Sequence, residues 1–159
     1  SNERGTAYHR VMECLNYSKA GSTEDIKNEI DRMVREEKLS LKQAECIKLK
    51  DIDTFAGSSI GERIKRAYAY GGEQPFVFEY DRQLVQGVID LYFIEDGQLV
   101  IVDYKTDRVL RGRAGEDELR RRYSIQLDYY AMALSQITGL KVKEKVIYSF
   151  ALGRSLTVE

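Results

Sequence analysis

Apolar residues recur at three- and four-residue spacings through roughly the first seventy positions and at two-residue spacing beyond them. From Thr6 to about Tyr17, Tyr8, Val11, Met12 and Leu15 lie on one stripe, which predicts a helix. Ser22-Thr-Glu-Asp opens a second helix, with Ile26, Ile30, Met33 and Val34 in line. Ser40-Leu-Lys-Gln43 and Ser59-Ile-Gly-Glu62 match the capping-box start, and the helix at Ser59 is expected to run to about Tyr70 and stop at Gly71-Gly72. Past Pro75, Phe76–Tyr80 reads as a strand, and two β-rich runs then meet at Asp96-Gly97. A Gly- and Arg-rich loop over about 108–115 precedes a helix from roughly Glu116 to Thr138. Its stripe is Leu119, Tyr123, Leu127, Tyr130, Ala131, Leu134 and Ile137, and Gly139 is its stop. Lys145–Leu152 reads as a final strand. Helices followed by β-β-β-α-β predict an α/β fold, a mixed central sheet flanked by helices. The amphipathic helices need that sheet to bury their stripes, so residues 1–159 are expected to form one domain, a helical segment over 1–70 and a sheet with its long helix over 76–152.

The Asp-Gly turn locates the first candidate chemistry. Asp90 lies six residues before Asp96, and Asp103 six residues after Gly97, so a two-residue turn sets the two aspartates opposite one another. Directly opposed side chains have Cβ atoms about 4.5–5.5 Å apart, and like charges so placed repel. Period-two alternation puts Leu99, Ile101, Asp103 and Lys105 on one face with Leu84, Gln86, Val88, Asp90, Tyr92 and Ile94. Val85, Ile89, Leu91 and Phe93, with Val100, Val102 and Tyr104, form the other. Both faces are apolar, as in central strands covered on each side. Charges at the end of such a surface are costly unless paired or metal-bound. A structural ion cluster accounts for Lys105 and one aspartate and leaves the second carboxylate unexplained. The pattern favours a metal site.

Composition narrows the class. With 159 residues, 43% hydrophobic and 32% charged, the chain is an ordinary globular protein. No apolar run is long enough to cross a membrane and no signal peptide is recognised, so an intracellular protein without a membrane role is expected. Cys14 and Cys46 are isolated in helical patterns, unlike a disulfide framework or a zinc site. The net charge of −1 carries no global signature of nucleic-acid binding, yet six arginines (108, 111, 113, 120, 121 and 122) stand against three acids between Arg108 and Arg122. Arginine forks suit phosphate, and this run begins just after Lys105. A solvated helix face is the plainer reading of the same run.

Asp90 followed by Asp103-Tyr104-Lys105 resembles the signature of PD-(D/E)XK nucleases. Gly5-Thr-Ala-Tyr-His9, Gly87-Val-Ile-Asp90, Asp103-Tyr-Lys-Thr-Asp107 and Gln126-Leu-Asp-Tyr-Tyr130 resemble, in order, the motifs of RecB-like nuclease domains. The nearest resemblance is to the C-terminal nuclease domain of the AddA type, from bacterial AddAB helicase–nucleases. The AddB-type nuclease is less similar, since it carries four iron–sulfur cysteines and this chain has two cysteines. No G-x-x-x-x-G-K-[ST] phosphate loop is present, so the chain is expected to be the nuclease piece alone, without ATPase.

The resemblance implies a restriction-endonuclease-like fold and a Mg2+-dependent deoxyribonuclease, with Mn2+ as a substitute, acting on single-stranded DNA ends in bacterial double-strand break repair. It implies a cytoplasmic location, a partner subunit of the AddB type, and products ending in a 5′-phosphate and a 3′-hydroxyl. Metal ligands would be His9, Asp90, Asp103 and the Tyr104 carbonyl, with Lys105, Gln126 and Tyr130 completing the catalytic set. Arg108, Arg111, Arg113, Arg121 and Gln126 would contact DNA. On composition alone, a lone His9 in a helix, or Tyr130 on an apolar stripe, is more often a packing residue. Glu79 reads as a salt-bridge partner, and Asp107 as a turn cap. The rival reading is a catalytically silent nuclease-like module that binds DNA or a partner.

Overall fold

A computed structural model describes residues 2–159. Five helices come first: α1 (Asn2–Cys14), α2 (Thr23–Arg35), α3 (Leu41–Glu45), α4 (Leu49–Gly57) and α5 (Ser59–Arg66). Strands β1 (Tyr70–Tyr80), β2 (Gln83–Glu95) and β3 (Gln98–Lys105) follow, then helix α6 (Arg113–Thr138), β4 (Val142–Ser149) and β5 (Arg154–Val158). The strands form one sheet in sequence order, antiparallel except where β3 meets β4 in parallel. Antiparallel neighbours need only short turns, whereas the parallel pair needs a long crossover, and α6 is that crossover.

Local chemistry sets most boundaries. The Ser22 side chain accepts from Asp25 N at the start of α2, and Ser40 with Gln43 forms a full capping box at α3. Gly139 closes α6 in the left-handed region at φ 74°. Asp96 and Gly97 both have positive φ, 54° and 72°, the type I′ turn that matches strand twist. The β1–β2 hairpin turns on Asp81 and Arg82, also left-handed at φ 50° and 65°, without a glycine to announce it.

Several sequence expectations are corrected. The cap of α5 is Ser58, which accepts from Gly61 N, not Ser59. That helix stops at Arg66, and β1 begins at Tyr70, running through Gly71, Gly72 and Pro75. Helix α4 and strand β5 were not anticipated, and Ile137 is exposed rather than part of the buried stripe.

Two apolar layers sandwich the sheet. On one face Leu91, Phe93, Val100, Val102, Tyr104, Val146 and Tyr148 pack against α1, α2, α4 and α5. On the other, Phe76, Phe78, Ile89, Leu99 and Ile101 meet Tyr130, Ala133 and Leu134 of α6, while Ile147, Leu156 and Val158 meet Leu119 and Leu127. Ile89 therefore packs on α6, opposite to Leu91 and Phe93 with which simple alternation grouped it. The alternation of β2 breaks between Ile89 and Leu91, at Asp90.

Phe55 centres the larger core, fully buried with ring centroids 4.7 Å from Tyr148 and 5.5 Å from Tyr104. Edge-to-face pairs like these stabilise beyond the area they bury. Replacing Phe55 with Ala is expected to cost about 3–5 kcal/mol, read as a lower urea midpoint with an unchanged slope. A loss below about 1 kcal/mol would mean the helices are not anchored through this ring.

Candidate active site

The β2–β3 ladder runs from Glu95–Gln98 to Leu91–Val102 and ends there. The next pair in register is Asp90 with Asp103, where hairpin arithmetic placed it. In place of a further backbone pair, the Asp90 Oδ2 accepts from the Tyr104 amide at 2.8 Å. The same oxygen lies 3.0 Å from His9 Nε2, and His9 Nδ1 lies 2.9 Å from the Gly5 carbonyl. Gly5 thus orients the imidazole from within α1. Hydrogen bonding of one ring nitrogen to a backbone carbonyl, leaving the other aimed at the site, is how metal-binding histidines are commonly held.

Asp103 is 2% exposed, and its Oδ2 is 2.9 Å from Lys105 Nζ. That contact is an ion pair without hydrogen-bond geometry, so Oδ2 is a buried acceptor lacking a hydrogen-bond partner among the described residues. Lys105 donates instead to Gln126 Oε1 at 3.1 Å and sits 4.0 Å above the Tyr123 ring. Burial, then the charge of Asp90, hold the Asp103 carboxyl above its ordinary range against the pull of Lys105. Burial alone would lower His9, but the hydrogen bond to Asp90 and its charge outweigh it and push His9 up to about 9. Each aspartate is thus matched by one protein cation, Asp90 by His9 and Asp103 by Lys105.

The Lys105 carbonyl accepts from Phe150 N on the β4 side. Successive strand residues point their peptide groups to opposite edges, so the Tyr104 carbonyl opens toward Asp90, beside its own N–H. The Tyr104 ring lies on the other side, buried, with its hydroxyl 3.1 Å from that of Tyr17. Burial, then the charges of Asp103 and Asp90, raise the Tyr130 hydroxyl, and its ring packs edge-on against Phe76 with centroids 5.5 Å apart. His9, Asp90, Asp103, Tyr104, Lys105 and Gln126 are therefore brought together, and Tyr130 lies one turn along α6 from Gln126.

The arginines are not. Arg108, Arg111 and Arg121 are exposed and join no ion pair among the described residues; Arg113 lies 3.8 Å from Asp117. Arg121 is five positions from Gln126, about 140° around the helix. Arg122, one turn from Gln126, shares its face and borders the same cavity. Asp107, expected as a turn cap, accepts from Arg122 at 3.0 Å and Tyr123 at 2.6 Å, tying the strand's exit to α6.

Glu73 escaped the sequence reading, which weighed the exposed Glu79 instead. It falls between Gly72–Leu91 and Gln74–Ile89 in the β1–β2 register, hence opposite Asp90, and is left-handed at φ 46°. Burial, then Asp90, raise its carboxyl. Glu73 lines a cleft of about 510 Å³ with His9, Asp90, Glu13 and Thr106. It becomes visible in the sequence only when β1 is carried back through the glycines.

The sequence matches the PD-(D/E)XK nuclease superfamily over residues 1–156. The chain belongs to that superfamily. It is similar to the A subunit of the ATP-dependent helicase/nuclease of Clostridium novyi (strain NT), 35% identical over 93% of this chain and 13% of the relative. The corresponding protein of Clostridium botulinum (strain Langeland) is 34% identical over 99% of the chain and 13% of the relative. That of Thermoanaerobacter sp. (strain X514) is 39% identical over 97% and 14%. The chain thus spans about 13–14% of the length of these relatives. The mixed five-stranded sheet between helical layers is the restriction-endonuclease-like fold.

Nucleases of this superfamily generally use divalent metal ions. Among the described residues no three His, Cys, Asp or Glu side chains already stand as a ligand cluster. The donors are turned toward His9 and Lys105, which occupy the carboxylates. The buried Asp103 oxygen, ion-paired to Lys105 but without a hydrogen bond among the described residues, and the hard-oxygen donor set nevertheless fit a divalent cation. Binding to the native state alone stabilises by about 2.7 kcal/mol at a hundredfold excess over Kd, roughly 5–10 °C for a chain this size. Millimolar Mg2+ or Mn2+ is expected to raise the thermal midpoint of the parent by that order and leave Asp103→Asn unmoved. Equal rises in both proteins would contradict the assignment.

Proposed function

We propose that this chain is a metal-dependent nuclease domain that hydrolyses phosphodiester bonds in single-stranded DNA. The observation that supports it most is Lys105, held by Gln126 within 2.9 Å of a buried carboxylate that stands beside a second. In a silent, DNA-binding relative of the same shape, a structural ion pair would account for Lys105 and Asp103 but not for the second carboxylate held beside them. The intact Asp90, Asp103 and Lys105 set therefore favours catalysis over the silent reading.

Mg2+, or Mn2+ in its place, would be held by Asp90, Asp103, His9 and the Tyr104 carbonyl, with Glu73 on the wall of the cleft that His9 and Asp90 also line. Such an ion supplies Lewis-acid polarisation of the phosphate and activation of water. Lys105 would orient the attacking water and stabilise the negative charge that develops on the phosphoryl oxygens. Gln126 fixes the ammonium through its carbonyl oxygen at 3.1 Å while Lys105 stays paired to Asp103 at 2.9 Å. Tyr130, one turn along α6 from Gln126, would flank the same side. His9 holds Asp90 in place from α1. Cleavage is expected to leave a 5′-phosphate and a 3′-hydroxyl.

The names of the relatives extend the reading. The intact protein would be a helicase–nuclease component working with an AddB-type partner, and this domain would receive single-stranded ends unwound elsewhere in the assembly. Its setting would be double-strand break repair in the bacterial cytoplasm.

End-labelled single-stranded DNA incubated with Mg2+ tests the catalytic reading. The parent is expected to cut it. Asp103→Ala and Lys105→Ala are each expected to lose on the order of 10²-fold or more in rate, as when one transition-state donor is removed. Undiminished cleavage by both variants would overturn the mechanism.

A further inference from the structure

A cavity of about 370 Å³ lies between α6 and the β1–β2 hairpin, and Gln126, which holds Lys105, is part of its lining. Its floor is the Phe76 ring, which lies over Gly87, its cross-strand partner. A Cβ at Gly87 would meet that ring at 2.9 Å, so only glycine lets the aromatic lie flat there. Tyr130 meets Phe76 edge-on with centroids 5.5 Å apart, and Tyr129 continues the wall toward Phe78 and Tyr80. Ile125, 68% exposed, forms the lip. The polar groups at the rim are the two amides of Gln86 and Gln126 and the Arg122 guanidinium, which also pairs with Asp107 and Glu118.

Aromatic and aliphatic walls with amide and guanidinium groups at one edge suit a flat ligand with apolar faces and a hydrogen-bonding rim. Gln126 lines this cavity and also accepts from Lys105, which pairs with Asp103, so a molecule in the cavity is one side chain away from the proposed catalytic groups. Gln126 spends its oxygen on Lys105 and carries two N–H donors on its other terminus. We propose that this cavity is a nucleobase pocket: an unpaired base next to the scissile phosphate enters it, stacks against the aromatic wall and presents its edge to Gln86, Gln126 and Arg122. The proposal rests on the nuclease reading for its occupant and deepens it. A base held in a duplex cannot leave the stack without losing its partner, so the pocket itself selects single-stranded substrate.

Oligothymidylate carrying one 2-aminopurine, and the same strand with an abasic site there, separates this from the catalytic claim when binding is measured without divalent cation. Stacking on protein aromatics is worth enough that loss of one base weakens binding on the order of tenfold. The parent is expected to quench 2-aminopurine and to bind the abasic strand about tenfold more weakly. Tyr129→Ala, and independently the exposed Ile125→Ala, are expected to shrink that base-to-abasic ratio toward one. Equal affinity of the parent for both strands, or an undiminished ratio in both variants, overturns the pocket. Mg2+-dependent cleavage is scored separately. Base discrimination without cleavage supports the pocket and overturns catalysis, whereas cleavage without discrimination overturns the pocket and leaves catalysis standing.

Discussion

The carboxylate of Asp90 occupies the place where the β2–β3 ladder would otherwise make its next backbone pair. It takes the Tyr104 N–H for itself, and the strands part at that point. Parting the strands exposes the Tyr104 carbonyl and leaves Asp103 buried beside a like charge with one unsatisfied oxygen. A buried carboxylate in that position must be protonated, paired or bound to a metal. Lys105, at the end of β3, and His9, from α1, supply the pairing. The rest of the site follows from that electrostatic requirement.

Two helical layers meet at this strand end. His9 comes from α1 on one face, Gln126 and Tyr130 from α6 on the other. Strict alternation along β2 would keep Asp90 on the α6 face with Tyr92 and Ile94, away from His9. The break in alternation between Ile89 and Leu91 lets one residue serve both layers. Opposite it, left-handed Glu73 absorbs the irregularity in β1. The same device that reaches His9 also brings a third carboxylate to the cleft.

How much of this is legible in the chain depends on whether the signal is local. The Asp96-Gly97 turn requires positive φ at two positions, and that chemistry alone predicts the register that aligns Asp90 with Asp103. Ser40 with Gln43, and Gly139, are equally local and are found as expected. The face of Ile89 is not local, because an interruption by a functional carboxylate overrides period-two packing. Gly71, Gly72 and Pro75 read as a break, yet β1 is an edge strand, where a missing donor and missing side chains are tolerated. Glu73 was lost with that stretch. Helix α4 lacks a side-chain cap at Lys48, and β5 is five residues of edge strand, so neither carries a strong start signal. The motif order pointed to the residues that the fold brings together around Asp90 and Asp103, but the proposed base pocket arises from Gly87, Phe76 and Tyr129 meeting across elements.

The proposed chemistry requires a cation between Asp90 and Asp103. Paramagnetic broadening by substoichiometric Mn2+ locates it directly, because His9 is the only histidine and its ring resonances are unique. The His9 ring and the Tyr104 amide are expected to broaden first, with α2 unaffected and the effect abolished in Asp103→Asn. Broadening centred elsewhere, or unchanged in Asp103→Asn, would contradict it.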